Sequence, residues 1–159
     1  TDARKSVMTS LSVLKPGHVS VSLADDMGVP VSKVPEAVEA FAQIAKKHNV
    51  TVATYGHASD GNLHTKMMLD PYSRDWERGI AAVTEIFEKC IELGGTVSGE
   101  HGIGIAKALD FIKERGTNLK TYKEIKRAMD PNNILNPGKT FDYEGDPLSG
   151  LRYPCRECQ

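Results

Sequence analysis

The chain has 159 residues, 40% of them apolar and 26% charged, for a mass of 17.4 kDa. That composition excludes disorder, collagen and coiled coil, and a domain of this size buries roughly 69% of its unfolded surface without needing disulfide staples. No apolar run approaches the roughly 20 residues of a membrane span. Twenty basic residues against 21 acidic ones leave a net charge of −1, which argues against a general nucleic-acid-binding surface.

Residues 1–15 carry Val7, Met8, Leu11 and Leu14 at the spacing of a helix end, with no cap before them, so Thr1 reads as a cut. His18 to Leu23 alternates, placing Val19, Val21 and Leu23 on one face of a half-buried strand. Val34, Val38, Phe41 and Ala45 predict a helix over 34–48, opened by Pro35 and closed by Lys46, Lys47 and His48. Val50–Tyr55 and Leu63–Leu69 read as strands of a hairpin around His57–Gly61. A stripe of Trp76, Ile80, Val83, Phe87 and Cys90 predicts a helix over 73–93, stopped by Gly94 and Gly95. Thr96–Ser98 is a short strand or loop, and Ile103–Arg115 and Asn118–Met129 are helices. The order β-α-β-β-α predicts an α+β fold on a largely antiparallel sheet.

Charge is segregated along the chain. Residues 70–100 hold seven acids and three bases (−4), and residues 107–127 hold seven bases and three acids (+4), which reads as two solvated helix faces that attract each other. Of the three cysteines, Cys90 reads as a small core residue, while Cys155 and Cys158 form a CxxC close to the end.

The residues with chemistry sit in glycine-rich segments. In Gly56–His64 two histidines flank a tight loop; alternation aims Asn62, His64 and Lys66 to one face of the strand and Leu63, Met67 and Leu69 to the other. His57 and His64 can meet across the hairpin as half of a divalent-metal site, and Glu100 from Gly94–Gly104 would complete a three-ligand centre with an open position. A pair of histidines alone also occurs without metal, and a glycine-rich Glu-His segment is usually just a loop. Gly102-Ile103-Gly104 is no dinucleotide fingerprint, because Lys107 stands where the third glycine belongs. The sequence contains no GxSxG, HExxH or P-loop. Asp130–Lys139 reads as two turns around Ile134 and Leu135.

In this order and spacing, Gly56-His57-Ala58-Ser59-Asp60-Gly61-Asn62-Leu63-His64, Gly94–Gly104 and Asp130–Lys139 resemble the C-terminal domain of the FAD-linked oxidases. The matching patterns are GHxGDGNLH, with Ser59 in place of a glycine, GGTxSGEHGIG and DPNNILNPGK; Asp-x-x-Val-Pro at Asp26–Pro30 also fits. The family includes D-lactate dehydrogenase, the glycolate oxidase flavoprotein subunit and D-2-hydroxyglutarate dehydrogenase. The resemblance covers about residues 4–141, the expected domain 1–141 being the later part of a ferredoxin-like substrate domain, with 142–159 as a tail or linker.

The resemblance implies that His57, His64 and Glu100 hold a divalent metal, commonly zinc, and that His101 is the general base at the 2-hydroxyl of a D-2-hydroxy acid. The turn between them is expected to face Glu100 to the metal and His101 to the substrate. Arg4, Asn62 and Lys66 are the implied substrate contacts, Lys66 otherwise reading as a solvated strand lysine; Asn136 and Lys139 are the implied neighbours of the flavin. FAD itself would be bound mainly by a domain absent from this chain, leaving this chain alone inactive. Cys155 and Cys158 would begin an iron–sulfur motif, form half of a zinc site, or lie in a tail without function; the full-length protein would act with an iron–sulfur subunit or domain, or as a homo-oligomer, in the cytoplasm or against a membrane through partners. Two rival readings are a non-catalytic docking subunit, which would not need both histidines, Glu100 and His101, and a metal-dependent hydrolase.

Overall fold

The computed structural model describes residues 10, 13, 15–70, 72, 73 and 75–145. Strand β1 (Val19–Gly28) leads through a short 3-10 turn to helix α1 (Val34–Lys47). The hairpin β2 (Thr51–His57) and β3 (Asn62–Leu69) follows, and then helices α2 (Asp75–Glu92), α3 (Ala108–Arg115) and α4 (Leu119–Met129). Among the described residues the sheet has three antiparallel strands in the order β1-β3-β2. Beyond β1 a single antiparallel bridge joins Gly28 to Thr96, so a fourth strand is reduced to one residue pair. The α+β expectation is met.

β3 lies in the centre, and all its residues are buried. Leu63, Met67 and Leu69 join Val21, Ala24 and Met27 of β1 in the core, which α1 covers with Ala37, Phe41 and Ile44 and α2 with Ala82, Ile86, Phe87 and Cys90. Burying each phenylalanine stabilises the fold by about 1.5–3 kcal/mol. The α2 stripe is rotated from the one expected: Trp76, Ile80 and Val83 are only half-buried, while Gly79 and Ala82 face inward. A β-carbon on Gly79 would come within 2.8 Å of the Leu69 side chain, so small residues there set how closely α2 approaches the sheet. In α1, Val38 is likewise exposed and Ala37 takes its place.

β1 departs most from the sequence reading. The expected alternation stops at Val21, because one extra residue is inserted between Val21 and Ala24 and another between Ala24 and Met27. These two bulges carry the strand on to Gly28, well past Leu23. Core positions are therefore three residues apart, and Ser22 and Asp25 go to the opposite face, where β3 presents Asn62, His64 and Lys66. The helix expected from Ile103 begins only at Ala108, residues 104–107 forming turns. The opposed charges of α2 and α3 meet at one exposed pair, Lys113 with Glu88 at 3.7 Å. Among the described residues no helix is long and apolar enough to cross a membrane.

Candidate functional site

The face of the sheet turned away from α1 and α2 carries the polar chemistry. His64 sits opposite Tyr55 in the hairpin register and is only 4% exposed. Its Nδ1 lies 2.9 Å from Asp25 Oδ1, and the other oxygen of Asp25 holds the Lys66 ammonium, which also donates to Ser22. Lys66 is thus buried and ion-paired, not a solvated strand lysine; the β1 bulge that brings Asp25 over β3 is the reason. Burial would raise the Asp25 carboxyl, but Lys66 and His64 outweigh it and hold it below the ordinary value.

The segment Ser98–Gly102 folds over this face because Asp26 holds it there. Asp26 is fully buried at a left-handed φ of 65°, a conformation aspartate tolerates better than most residues. Its carboxylate accepts from the backbone N–H of Glu100 and of His101, both at 2.8 Å, and from the Ser98 hydroxyl at 2.8 Å. The Lys107 ammonium lies 3.3 Å away. Burial pushes the Asp26 carboxyl up, yet the two backbone donors, Ser98 and the Lys107 charge together hold it well below the usual carboxylate range. Gly99 passes so close that a β-carbon there would stand 2.9 Å from Asn62 Oδ1, so the loop needs glycine at that point.

Glu100 and His101 stand side by side over His64. Glu100 Oε1 is 3.5 Å from His64 Nε2 and 3.6 Å from His101 Nε2, and the His101 ring stacks on His64 with centroids 5.3 Å apart. The His57 ring stands edge-on to His64 at 6.0 Å. Single ligand atoms of Asp26, His64, Glu100 and His101 fall within 4.8 Å of one another. Asp26 differs from the others in having its carboxylate occupied by four donors, about as many as a carboxylate accepts, so we assign it to holding the loop.

Of the three expected metal ligands, His64 and Glu100 belong to this group and His57 does not, its ring meeting His64 only edge-on; the polar face fits a divalent cation on a separate observation. His64 Nε2 and Asn62 Oδ1 are buried side-chain atoms with no hydrogen-bond partner among the described residues. Nε2 points toward a carboxylate too distant for a hydrogen bond. A buried acceptor left in that way costs about 1–3 kcal/mol unless something else meets it. For a flavin, the chain offers the surface segment that carries Asn136 and Lys139. Asn136 and Lys139 are exposed, bond to each other at 3.2 Å, and join the Gly104 turn through Thr140 N–H to Gly104 O at 3.1 Å.

Sequence reasoning missed Asp25, Asp26 as the loop's anchor, and Lys107. Two adjacent acids at the end of an otherwise apolar alternation were the available signal. Arg4, Cys155 and Cys158 lie outside the described residues.

Residues 1–140 match the family of the FAD linked oxidases, C-terminal domain. The chain is 44% identical over 143 residues to the glycolate oxidase subunit GlcD of Bacillus subtilis, covering 89% of this chain and 30% of that protein. It is 33% identical over 138 residues to the mitochondrial D-lactate dehydrogenase [cytochrome] of Arabidopsis thaliana, covering 86% and 24%. It is 34% identical over 115 residues to the D-lactate dehydrogenase of Archaeoglobus fulgidus, covering 72% and 25%. The chain thus spans less than a third of the length of each of these relatives.

Proposed function

The chain belongs to the FAD linked oxidase C-terminal domain family, and from that premise we propose that it is the substrate domain of a flavin-dependent enzyme oxidising a small D-2-hydroxy acid to the 2-oxo acid. The names of its relatives, glycolate oxidase subunit and D-lactate dehydrogenase, support that substrate class. The observation that carries the reading is the unpartnered His64 Nε2, buried beside Glu100 and under His101.

In this reading His57, His64 and Glu100 would hold a divalent ion, zinc in the commonest case, and the Asn62 amide would meet the substrate. His101, half-exposed where the polar face opens to solvent, takes the hydroxyl proton on its imidazole. Asp26 keeps both Glu100 and His101 at their stations through their backbone N–H groups. Lys66 is neutralised by Asp25, so it lends no free cation to a second substrate carboxylate, which favours monocarboxylates. When bound, the ion would supply charge stabilisation to the substrate oxygens, and the flavin, held mainly by the rest of the full-length protein, would supply the acceptor for two electrons and a hydrogen. Asn136 and Lys139 would border that flavin.

Two variants of the full-length protein test the division of labour. His101→Ala should lower turnover of D-lactate or glycolate by roughly 10²–10⁴-fold with metal content retained. His64→Ala should lose metal and turnover together. Near-normal turnover in His101→Ala with normal metal loading would remove His101 from the role of base.

A further inference from the structure

We propose that Asp25 is a positioning residue of this site, fixing His64 in the tautomer that carries its proton on Nδ1 and so leaving a bare Nε2 toward Glu100 and His101. Asp25 lies outside the segments that carry the family patterns. The argument is one of donors and acceptors. A carboxylate that holds a buried ammonium only accepts, so a ring nitrogen 2.9 Å from its Oδ1 must be the one bearing hydrogen. In the neutral ring the other nitrogen is then a lone pair, and it is this atom that is buried without a partner. Lys66 completes the device from the far side: paired to Oδ2, and only 8% exposed, it keeps Asp25 an acceptor.

The three groups reach one another across the β1–β3 ladder only because the extra residue between Val21 and Ala24 turns Asp25 onto the face of His64 and Lys66. A carboxylate on the outer nitrogen of a ligating imidazole orients the ring and raises its basicity, and losing such a partner lowers metal affinity by roughly 10–100-fold. That consequence rests on the cation reading above; the tautomer does not.

The test uses the full-length protein labelled with ¹⁵N-histidine, His64 being assigned by the resonances missing from His64→Gln. Long-range ¹H–¹⁵N spectra near pH 8 should show His64 protonated on Nδ1, and a proton on Nε2 in the unaltered protein overturns the proposal outright. Asp25→Asn alone would strand the Lys66 ammonium, so the working variant is Asp25→Asn with Lys66→Met, its folding checked by thermal melting. An asparagine amide can donate to Nδ1 instead, and the Nε2–H tautomer should then grow. Cobalt(II) titration, followed by its visible absorption, should shift to roughly 10–100-fold weaker binding. Lys66→Met alone should retain the Nδ1–H form. If the double variant keeps both the tautomer and the cobalt midpoint of the parent, Asp25 is not positioning His64. If the tautomer moves but the parent binds no cobalt, the positioning role stands and the cation reading falls.

Discussion

Asp26 and Asp130 perform the same task in two regions, and their differences show what makes a loop part of a site. Each carboxylate accepts from two successive backbone N–H groups and pairs with a lysine: Asp26 with Glu100, His101 and Lys107, Asp130 with Ile134, Leu135 and Lys126. Asp130 does this four and five residues downstream, at the end of α4, where Lys126 also donates to Leu135 O at 2.6 Å. Asp26 reaches across 74 and 75 residues. The local device tidies a turn whose apolar residues, Ile134 and Leu135, remain exposed. The long-range device fixes where two functional side chains stand relative to a strand they do not belong to.

The comparison breaks first at Asp26. Asp26→Asn keeps the shape but removes the charge from a fully buried position and leaves the buried Lys107 unpaired. Removing one partner of such a pair costs about 3–5 kcal/mol. Urea unfolding of the full-length protein should show a loss of that order, and the amides of Glu100 and His101 should exchange faster in the native state. A loss below about 1 kcal/mol, with both amides still protected, would mean that the loop is held by something else.

Asp130→Asn should do less. Its lysine reaches solvent, and asparagine can still accept from one of the two backbone groups. The expected outcome is a small fall in melting temperature, faster exchange at Ile134 and Leu135, and no change at Glu100 or His101. Equal destabilisation by Asp26→Asn and Asp130→Asn would erase the distinction between local and long-range anchoring.

The same distinction governs what was legible. The helices and the β2–β3 hairpin show their periods directly, and Gly56–His64 and Gly94–Gly104 advertise histidines and an acid among glycines that no core requires. The side of β3 bearing Asn62, His64 and Lys66 follows from alternation alone. Asp25 was not legible, since its partners lie 39 and 41 residues ahead, and neither was Lys107, 81 residues beyond Asp26. The bulges that deliver both aspartates arise from pairing with β3, and the sequence around Asp25-Asp26 reads locally as the end of a strand. The same cause hides Lys66: a lysine on a strand looks solvated until the acid above it, Asp25, is known.

The smallest effect expected is also the cleanest separation of the two anchors, and it needs no substitution. The Lys126 ammonium, the Ile134 N–H and the Leu135 N–H hold the Asp130 carboxyl down to about 2, against an ordinary value of 3.8. A carboxyl depressed by folding contributes stability that is complete above the unfolded value and is lost as pH falls through the folded one. The Asp130 turn should therefore be intact above 3.8 and loosen as pH approaches about 2. Asp26, fully buried and met by four donors, should keep its grip on His101 through that window. Backbone ¹H–¹⁵N shifts recorded from pH 4 downward should show the amides of Ile134 and Leu135 moving together while the His101 amide stays in place. Movement of the His101 amide together with the pair at Ile134 and Leu135 would show the two aspartates to be equally anchored, and the contrast between the regions would be lost.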